Sequence, residues 1–97
     1  AVPQVKVSTI LQLVRVLGAR DMVVEVREGS TVGDLMRLLA QRADPGASRL
    51  LFADQEGDLQ PSVSIMVNGR NLLFLRGLET VLHNDDQVTI LPAGGVG

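Results

Sequence analysis

Val5, Val7 and Thr9 alternate with Lys6 and Ser8, the period of two expected of a strand with one face on a core and the other in water. Leu11 to Gly18 is apolar but short and stops at a glycine. Periodicity does not separate a helical turn from a widened connection there, and the stretch is read as a connection. Met22 to Val26 is rich in β-branched residues and runs into Glu28-Gly29-Ser30, which predicts a second strand, paired with the first as a hairpin and closed by a turn. A helix is predicted from Thr31, whose hydroxyl can cap the amide of Asp34, while that carboxylate suits the positive end of the helix dipole. Val32, Leu35, Met36 and Leu39 recur at helical spacing, with Asp34, Arg37 and Gln41 opposite, so one face is buried. Asp44-Pro45-Gly46 ends the helix, and Arg49 to Phe52 is read as a further short helical turn.

After the polar stretch Asp54-Gln55-Glu56-Gly57-Asp58, the alternation resumes at Val63, Ile65 and Val67 and leads into Asn68-Gly69, the strongest short hairpin signal a sequence offers. The returning strand is predicted to begin near Asn71. Gly77 to Leu82 reads as a turn or short helix, and His83-Asn84-Asp85-Asp86 as a polar turn. Val88-Thr89-Ile90 forms a last strand closed by Pro92. Hairpin, helix, hairpin and final strand give an α+β chain in which one helix face packs on one face of a mixed sheet. The domain is expected to span residues 1–92, followed by a flexible tail at 93–97.

Composition narrows what such a domain does. The chain has 97 residues, of which 45% are hydrophobic and only Phe52 and Phe74 are aromatic, so the single core is aliphatic. Nine basic residues against eleven acidic leave a net charge of −2 with no basic cluster, which argues against a nucleic-acid partner. Without cysteine there is no disulfide framework, thiolate metal site or cysteine nucleophile, and His83 alone builds no metal centre. The longest mainly apolar run, Val63 to Val67, is too short to span a bilayer, and Ala1-Val2-Pro3 lacks the regions of a signal peptide. A cytoplasmic protein with no membrane contact is the expectation.

Three stretches carry a resemblance: Glu28-Gly29-Ser30-Thr31-Val32-Gly33-Asp34-Leu35 at the helix start, Val67-Asn68-Gly69-Arg70 at the hairpin, and Asp85-Asp86-Gln87-Val88-Thr89-Ile90-Leu91-Pro92 before the tail. In this order they resemble the small ubiquitin-like sulfur carriers typified by MoaD, the small subunit of molybdopterin synthase, with the thiamine-pathway carrier ThiS more distant. The resemblance implies a ubiquitin-like β-grasp fold. It also implies a tail whose terminal glycine carboxylate is adenylated by a MoeB/ThiF-type enzyme and converted to a thiocarboxylate. A free carboxylate is a poor acyl donor, so ATP must first make an acyl-adenylate; a sulfur donor then displaces AMP. No cofactor is expected to stay bound, because ATP is used by the partner. The carrier is a substrate rather than an enzyme, consistent with the lack of any catalytic or metal constellation in the chain.

The tail departs from the family in one respect. The family ends in Gly-Gly, whereas here Gly94-Gly95 is followed by Val96 and Gly97. If Val96-Gly97 is trimmed, Gly95 becomes the reactive terminus, two residues closer to Leu91-Pro92 than the family's spacing. If it is not, Gly97 sits at that spacing. The untrimmed reading is preferred, because reach is set by length and five residues past Pro92 extend at most roughly 17 Å. Glycine suits a tail threading a narrow channel, since it lacks a Cβ.

Leu72-Leu73-Phe74-Leu75 places apolar residues on both faces of a strand, so some should be exposed, as at protein interfaces. In the family the sheet surface beside the tail docks on the adenylating enzyme and on the large subunit of molybdopterin synthase. Leu91 matches such an interface position, with Pro92 beside it and Leu72 and Phe74 as additions; for Phe74 ordinary core packing is an equal alternative. His83 is read as solvated, and Lys6 as a solvated strand residue able in principle to take an isopeptide bond. The leading function is sulfur transfer in molybdopterin synthesis. Alternatives are sulfur carriage for a thiamine, amino-acid or tungsten-pterin pathway, or a β-grasp interaction module without conjugation.

Overall fold

The computed structural model describes residues 2–42, 45–53 and 59–92. Asp44, the polar stretch from Asp54 to Asp58, and the tail glycines Gly94, Gly95 and Gly97 with Val96 lie outside them. Strand β1 (Gln4–Thr9) buries Val5, Val7 and Thr9, as the period of two requires. It pairs antiparallel with β2 (Asp21–Glu25), Val5 opposite Val24 and Val7 opposite Met22. The connection between them is not a loop. Gln12–Leu17 form helix α1, ended by Gly18 at φ 86°, whose N–H donates to the Val14 carbonyl at 2.9 Å. Six residues are too few to display a helical period, but the left-handed glycine is a helix-stop signal, and α1 buries Leu13.

Helix α2 (Val32–Arg42) starts where the capping pattern puts it. Thr31 N–H donates to Asp34 Oδ2 at 3.0 Å while Asp34 N–H donates to Thr31 Oγ1 at 3.2 Å, a capping box with aspartate in the reciprocal position. Its buried residues are Val32, Gly33, Leu35, Met36 and Leu39. Helix α3 (Pro45–Leu51) is longer than the turn expected from Arg49 to Phe52. It opens on a proline, which has no N–H to leave unpaired at a helix start.

Strand β3 (Ser64–Val67) and β4 (Arg70–Asn71) form the expected hairpin, with Val67 opposite Arg70 and Met66 opposite Asn71. The turn residues Asn68 and Gly69 sit at φ 52° and 84°, both positive as a two-residue type I′ turn demands. The returning strand is shorter than predicted. The Asn71 side-chain oxygen accepts the N–H of Leu73 at 2.9 Å, and Leu72–Phe74 coil into one turn of 3-10 helix. A second such turn covers Gly77–Glu79. Strand β5 (Gln87–Leu91) then runs between β1, to which it is parallel, and β3, to which it is antiparallel.

The sheet order β2-β1-β5-β3-β4 puts the first and last strands side by side at the centre. On one face Val5, Val7, Val24, Ile65, Val67, Val88 and Ile90 pack against α2, with Leu13 of α1 and Leu51 of α3 in the same cluster. The core is aliphatic, as composition required, with Phe52 at its margin. This mixed five-stranded sheet on one main helix is the ubiquitin-like β-grasp expected from the sequence.

Candidate functional site

The candidate site is the end of β5, where the chain passes from the last strand into the residues after Pro92. Val88 and Ile90 point into the core and are fully buried, so Gln87, Thr89 and Leu91 point to the other face. The final residues are held three ways. Ile90 and Leu91 pair with Ile65 and Ser64 of β3 on one side, and Ile90 pairs with Thr9 of β1 on the other. Thr9, 1% exposed, also donates its hydroxyl to the Ile90 carbonyl at 2.8 Å. Pro92 is buried and Leu91 half-buried. The chain therefore remains anchored up to Pro92, one residue before the tail.

Because β1 and β5 are parallel, the segment after Thr9 lies at the same end of the sheet. There Ile10 is 38% and Leu11 55% exposed. Leu11 has φ 56° and ψ −135°, a backbone region that L-residues seldom occupy. These two apolar residues stand beside the tail exit together with Leu91. The sequence reading missed them by assigning Leu11 onward to a connection; the signal available was that the inward alternation stops at Thr9 while the side chains stay apolar.

Of the candidate interface residues, Leu91 and Pro92 lie at the exit. Leu72 does not reach the surface: it is 6% exposed and part of the core, because the 3-10 turn directs it inward. That corrects its assignment to an interface. The same turn leaves Leu73 and Phe74 86% and 85% exposed, so Phe74 is not a core residue. It follows β4 at the sheet edge, with β3 between it and β5. The tail glycines Gly94, Gly95 and Gly97 lie outside the described residues.

The opposite end of β5 is locked by two of the recognised stretches acting on each other. Asn68 of the hairpin turn donates its amide Nδ2 to Asp86 Oδ1 at 2.9 Å and accepts the Gln87 N–H on Oδ1 at 2.9 Å; its own N–H donates to the Gln87 carbonyl at 2.8 Å. Asp86 Oδ2 accepts the His83 N–H at 2.8 Å, closing the polar turn. His83 is exposed, with Nδ1 3.8 Å from Asp86 Oδ2. Asp34 is the carboxyl held below its ordinary range, first by the Thr31 N–H and next by a hydrogen bond from Arg37, and it caps α2 rather than facing the tail.

The sheet face away from the helices carries Lys6, Ser8, Asp21, Val23, Met66, Gln87, Thr89 and Leu91, all exposed or half-buried. Among the described residues no three His, Cys, Asp or Glu side chains are grouped to hold a metal ion, and no helix is long and apolar enough to cross a membrane. What the arrangement offers chemically is a strand end anchored on both sides, with exposed apolar residues beside it.

Comparison with known proteins agrees with this geometry. The ThiS family model matches residues 7–95. The chain is 35% identical over 82 residues to small archaeal modifier protein 3 of Haloferax volcanii, covering 82% of this chain and 86% of that protein. It is 35% identical over 65 residues to the sulfur carrier protein CysO of Mycobacterium tuberculosis, covering 67% and 70%. Among solved structures, small archaeal modifier protein 1 of Methanosarcina acetivorans superposes with a TM-score of 0.78 at 27% identity, covering 100% of this chain and 99% of that one. The structure of the Amycolatopsis orientalis BexX/CysO complex matches with a TM-score of 0.70 at 28% identity, covering 96% and 99%. The relatives are carriers and modifiers, and one is solved with a partner protein. The chain belongs to the ThiS family of ubiquitin-like sulfur carriers, the group to which MoaD-like proteins are also similar.

Proposed function

We propose that this protein carries sulfur as a thiocarboxylate on its C-terminal glycine, for transfer in the cytoplasm to a pterin precursor during molybdopterin synthesis. The observation that carries the reading is the anchorage of β5, a central strand fixed on both sides and by the Thr9 hydroxyl until Pro92. The family match extends through the tail to Gly95. A MoeB/ThiF-type enzyme uses ATP to make the glycine acyl-adenylate, a sulfur donor displaces AMP, and the large subunit of molybdopterin synthase receives the loaded carrier. This chain supplies no catalytic group; it supplies the carboxylate and the surface around Leu91 and Pro92. Gly97 is the reactive residue by chain length, and Gly94-Gly95 the alternative after trimming.

A second reading has its own support. Similarity to a small archaeal modifier protein over most of the chain favours transfer of the activated glycine to protein lysines. Incubation with an adenylating enzyme of this family, ATP and a sulfur source should replace one carboxylate oxygen by sulfur, read by intact mass and localised by fragmentation. Sulfur on Gly97 supports the untrimmed tail, and a native terminus at Gly95 the trimmed one. No adduct on either overturns the carrier reading and leaves an interaction module. Adding the large synthase subunit and the pterin precursor separates the readings: dithiolene formation supports the first, protein conjugates without it the second.

A further inference from the structure

Of the nine basic side chains eight are arginines, and Lys6 is the single lysine. The difference is chemical. A guanidinium stays protonated and is a poor nucleophile, whereas a lysine amine releases its proton and attacks activated acyl groups. A chain whose own carboxylate becomes an acyl-adenylate therefore carries one side-chain amine able to intercept it.

Lys6 is exposed at the middle of β1, on the sheet face that no helix covers. Directly opposite lie Val23 on β2 and Gln87 on β5, with Asp21 and Glu25 diagonal to it on β2, within reach of a long side chain. Neither carboxylate is committed to it. Asp21 Oδ1 accepts the Ser8 hydroxyl at 2.8 Å, and Glu25 Oε1 accepts Gln4 Nε2 at 3.3 Å. Among the described residues the Lys6 ammonium has no ion-pair or hydrogen-bond partner. Lys6, Ser8, Asp21, Val23 and Gln87 line an open depression of about 490 Å³. The Ser8 hydroxyl also accepts Gln87 Nε2 at 2.9 Å, so a hydrogen-bonded row from Gln87 to Asp21 holds the Asp21 carboxylate on the same sheet face as Lys6, diagonal to it across the β1/β2 pair.

We propose that Lys6 Nζ is an acceptor for the activated C-terminal glycine of a second copy of this chain, giving an isopeptide-linked dimer. The proposal rests on the tail activation put forward above. The Lys6 ammonium gives one proton to Asp21 or to water, and the freed lone pair forms a C–N bond to the acyl carbon. The bond between that carbon and the phosphate oxygen breaks so that its electron pair leaves on AMP, and the nitrogen gives up its second proton to water. A second copy is the donor because Lys6 is level with Gln87, four residues before the strand end. At about 3.3 Å per residue its row lies roughly 13 Å behind the tail exit, and the chain's own tail would have to reverse at the buried Pro92.

The test uses the full chain with an adenylating enzyme of the family and ATP, sulfur source omitted, followed by intact mass and tryptic mapping. The expected product has the mass of two chains less one water, with cleavage lost at Lys6 and the C-terminal peptide attached there. Lys6→Arg should abolish it while pyrophosphate release is unchanged, and Asp21→Asn should lower its yield several-fold. In parallel, the chain prepared as a C-terminal thioester, which needs no enzyme, should acylate Lys6 in the same way. Loss of pyrophosphate release in the first arm would count against tail activation, whereas the thioester arm reports on Lys6 alone. Thioester hydrolysis without conjugation, or acylation only of the α-amine, overturns the proposal. So does a Lys6→Arg/Arg70→Lys double variant that conjugates as well as wild type, since any exposed amine would then serve.

Discussion

Replacing Thr9 with valine isolates the hydrogen bond that holds the end of β5. Valine keeps the β-branched shape and strand preference, so the change removes the hydroxyl donated to the Ile90 carbonyl at 2.8 Å and little else. With Thr9 only 1% exposed, water cannot replace the donor. Leaving a buried carbonyl short of a partner costs about 1–3 kcal/mol, offset by about 0.8 kcal/mol from burying a methyl in place of the hydroxyl. The net loss is about 1 kcal/mol, which for a domain of this size lowers Tm by roughly 4–8 °C. Thr9→Ser restores the donor and gives up the methyl, so it loses a similar amount of stability by a different route. Amide exchange distinguishes them: Thr9→Val should accelerate exchange at Ile90 and Leu91 beyond its effect on Val5 and Val7, whereas Thr9→Ser should not. A Thr9→Val protein that melts with wild type, or whose exchange rises evenly across the sheet, would refute the anchoring role.

Four further outcomes are expected. Leu72→Ala should destabilise by about 2–4 kcal/mol because it opens a cavity, while Phe74→Ala, at an exposed position, should stay within about 0.5 kcal/mol; urea unfolding of both checks the inward turn at Leu72. Asn68→Ala removes side-chain bonds to Asp86 and Gln87 and places alanine at φ 52°, costing about 2–3 kcal/mol, of which Asn68→Gly should recover about 1 kcal/mol. Asp34→Asn should cost about 0.5–1 kcal/mol at pH 7 as a capping loss. The Asp34 pKa lies below its ordinary 3.8, so its stabilisation is complete above that value and is lost as pH falls through the lowered one. The gap between wild type and Asp34→Asn should therefore close in strong acid, and a gap unchanged from pH 7 to pH 2 would contradict the charge contribution. Leu91→Glu should weaken binding to the adenylating enzyme at least tenfold, about 1.4 kcal/mol, with an unchanged circular dichroism spectrum.

Where a local pattern determines structure, reading the chain alone sufficed. The alternation Val5-Val7-Thr9, the Thr31/Asp34 capping pair and Asn68-Gly69 each specify backbone conformation within a few residues, and each is found in place. The misassignments have a common cause. Helix α1 is six residues long, too short for its period to emerge, and its identity depends on burying Leu13 under a sheet formed largely by distant residues. Strand β4 ends after Asn71 because that side chain captures the Leu73 N–H, a competition between side chain and ladder that hydrophobicity does not record. Leu72 and Phe74 therefore part, one into the core and the other into solvent, although their two-residue spacing implied a shared face. The clasp of Asn68 on Asp86 and Gln87 joins residues 18 and 19 positions apart, and the turn signal that explains Asn68 locally hides this second task.

The tail's chemistry and its presentation are separable, and they fail differently. On the proposed function, the glycines beyond Pro92 would let the carboxylate enter a partner's active site. Presentation depends on residues far from the terminus in sequence: Thr9 is 81 positions from the carbonyl it holds. An edge strand could fray and carry a tail out of register, because only one neighbour restrains it. β5 has a neighbour on each side, so releasing its end means breaking two ladders together, a local opening but a costlier one than the fraying of an edge strand. Substitutions at the tail should abolish adenylation without changing stability. Those at Thr9 should instead raise the KM for the carrier more than they lower kcat, since the same carboxylate arrives from a less restricted strand end.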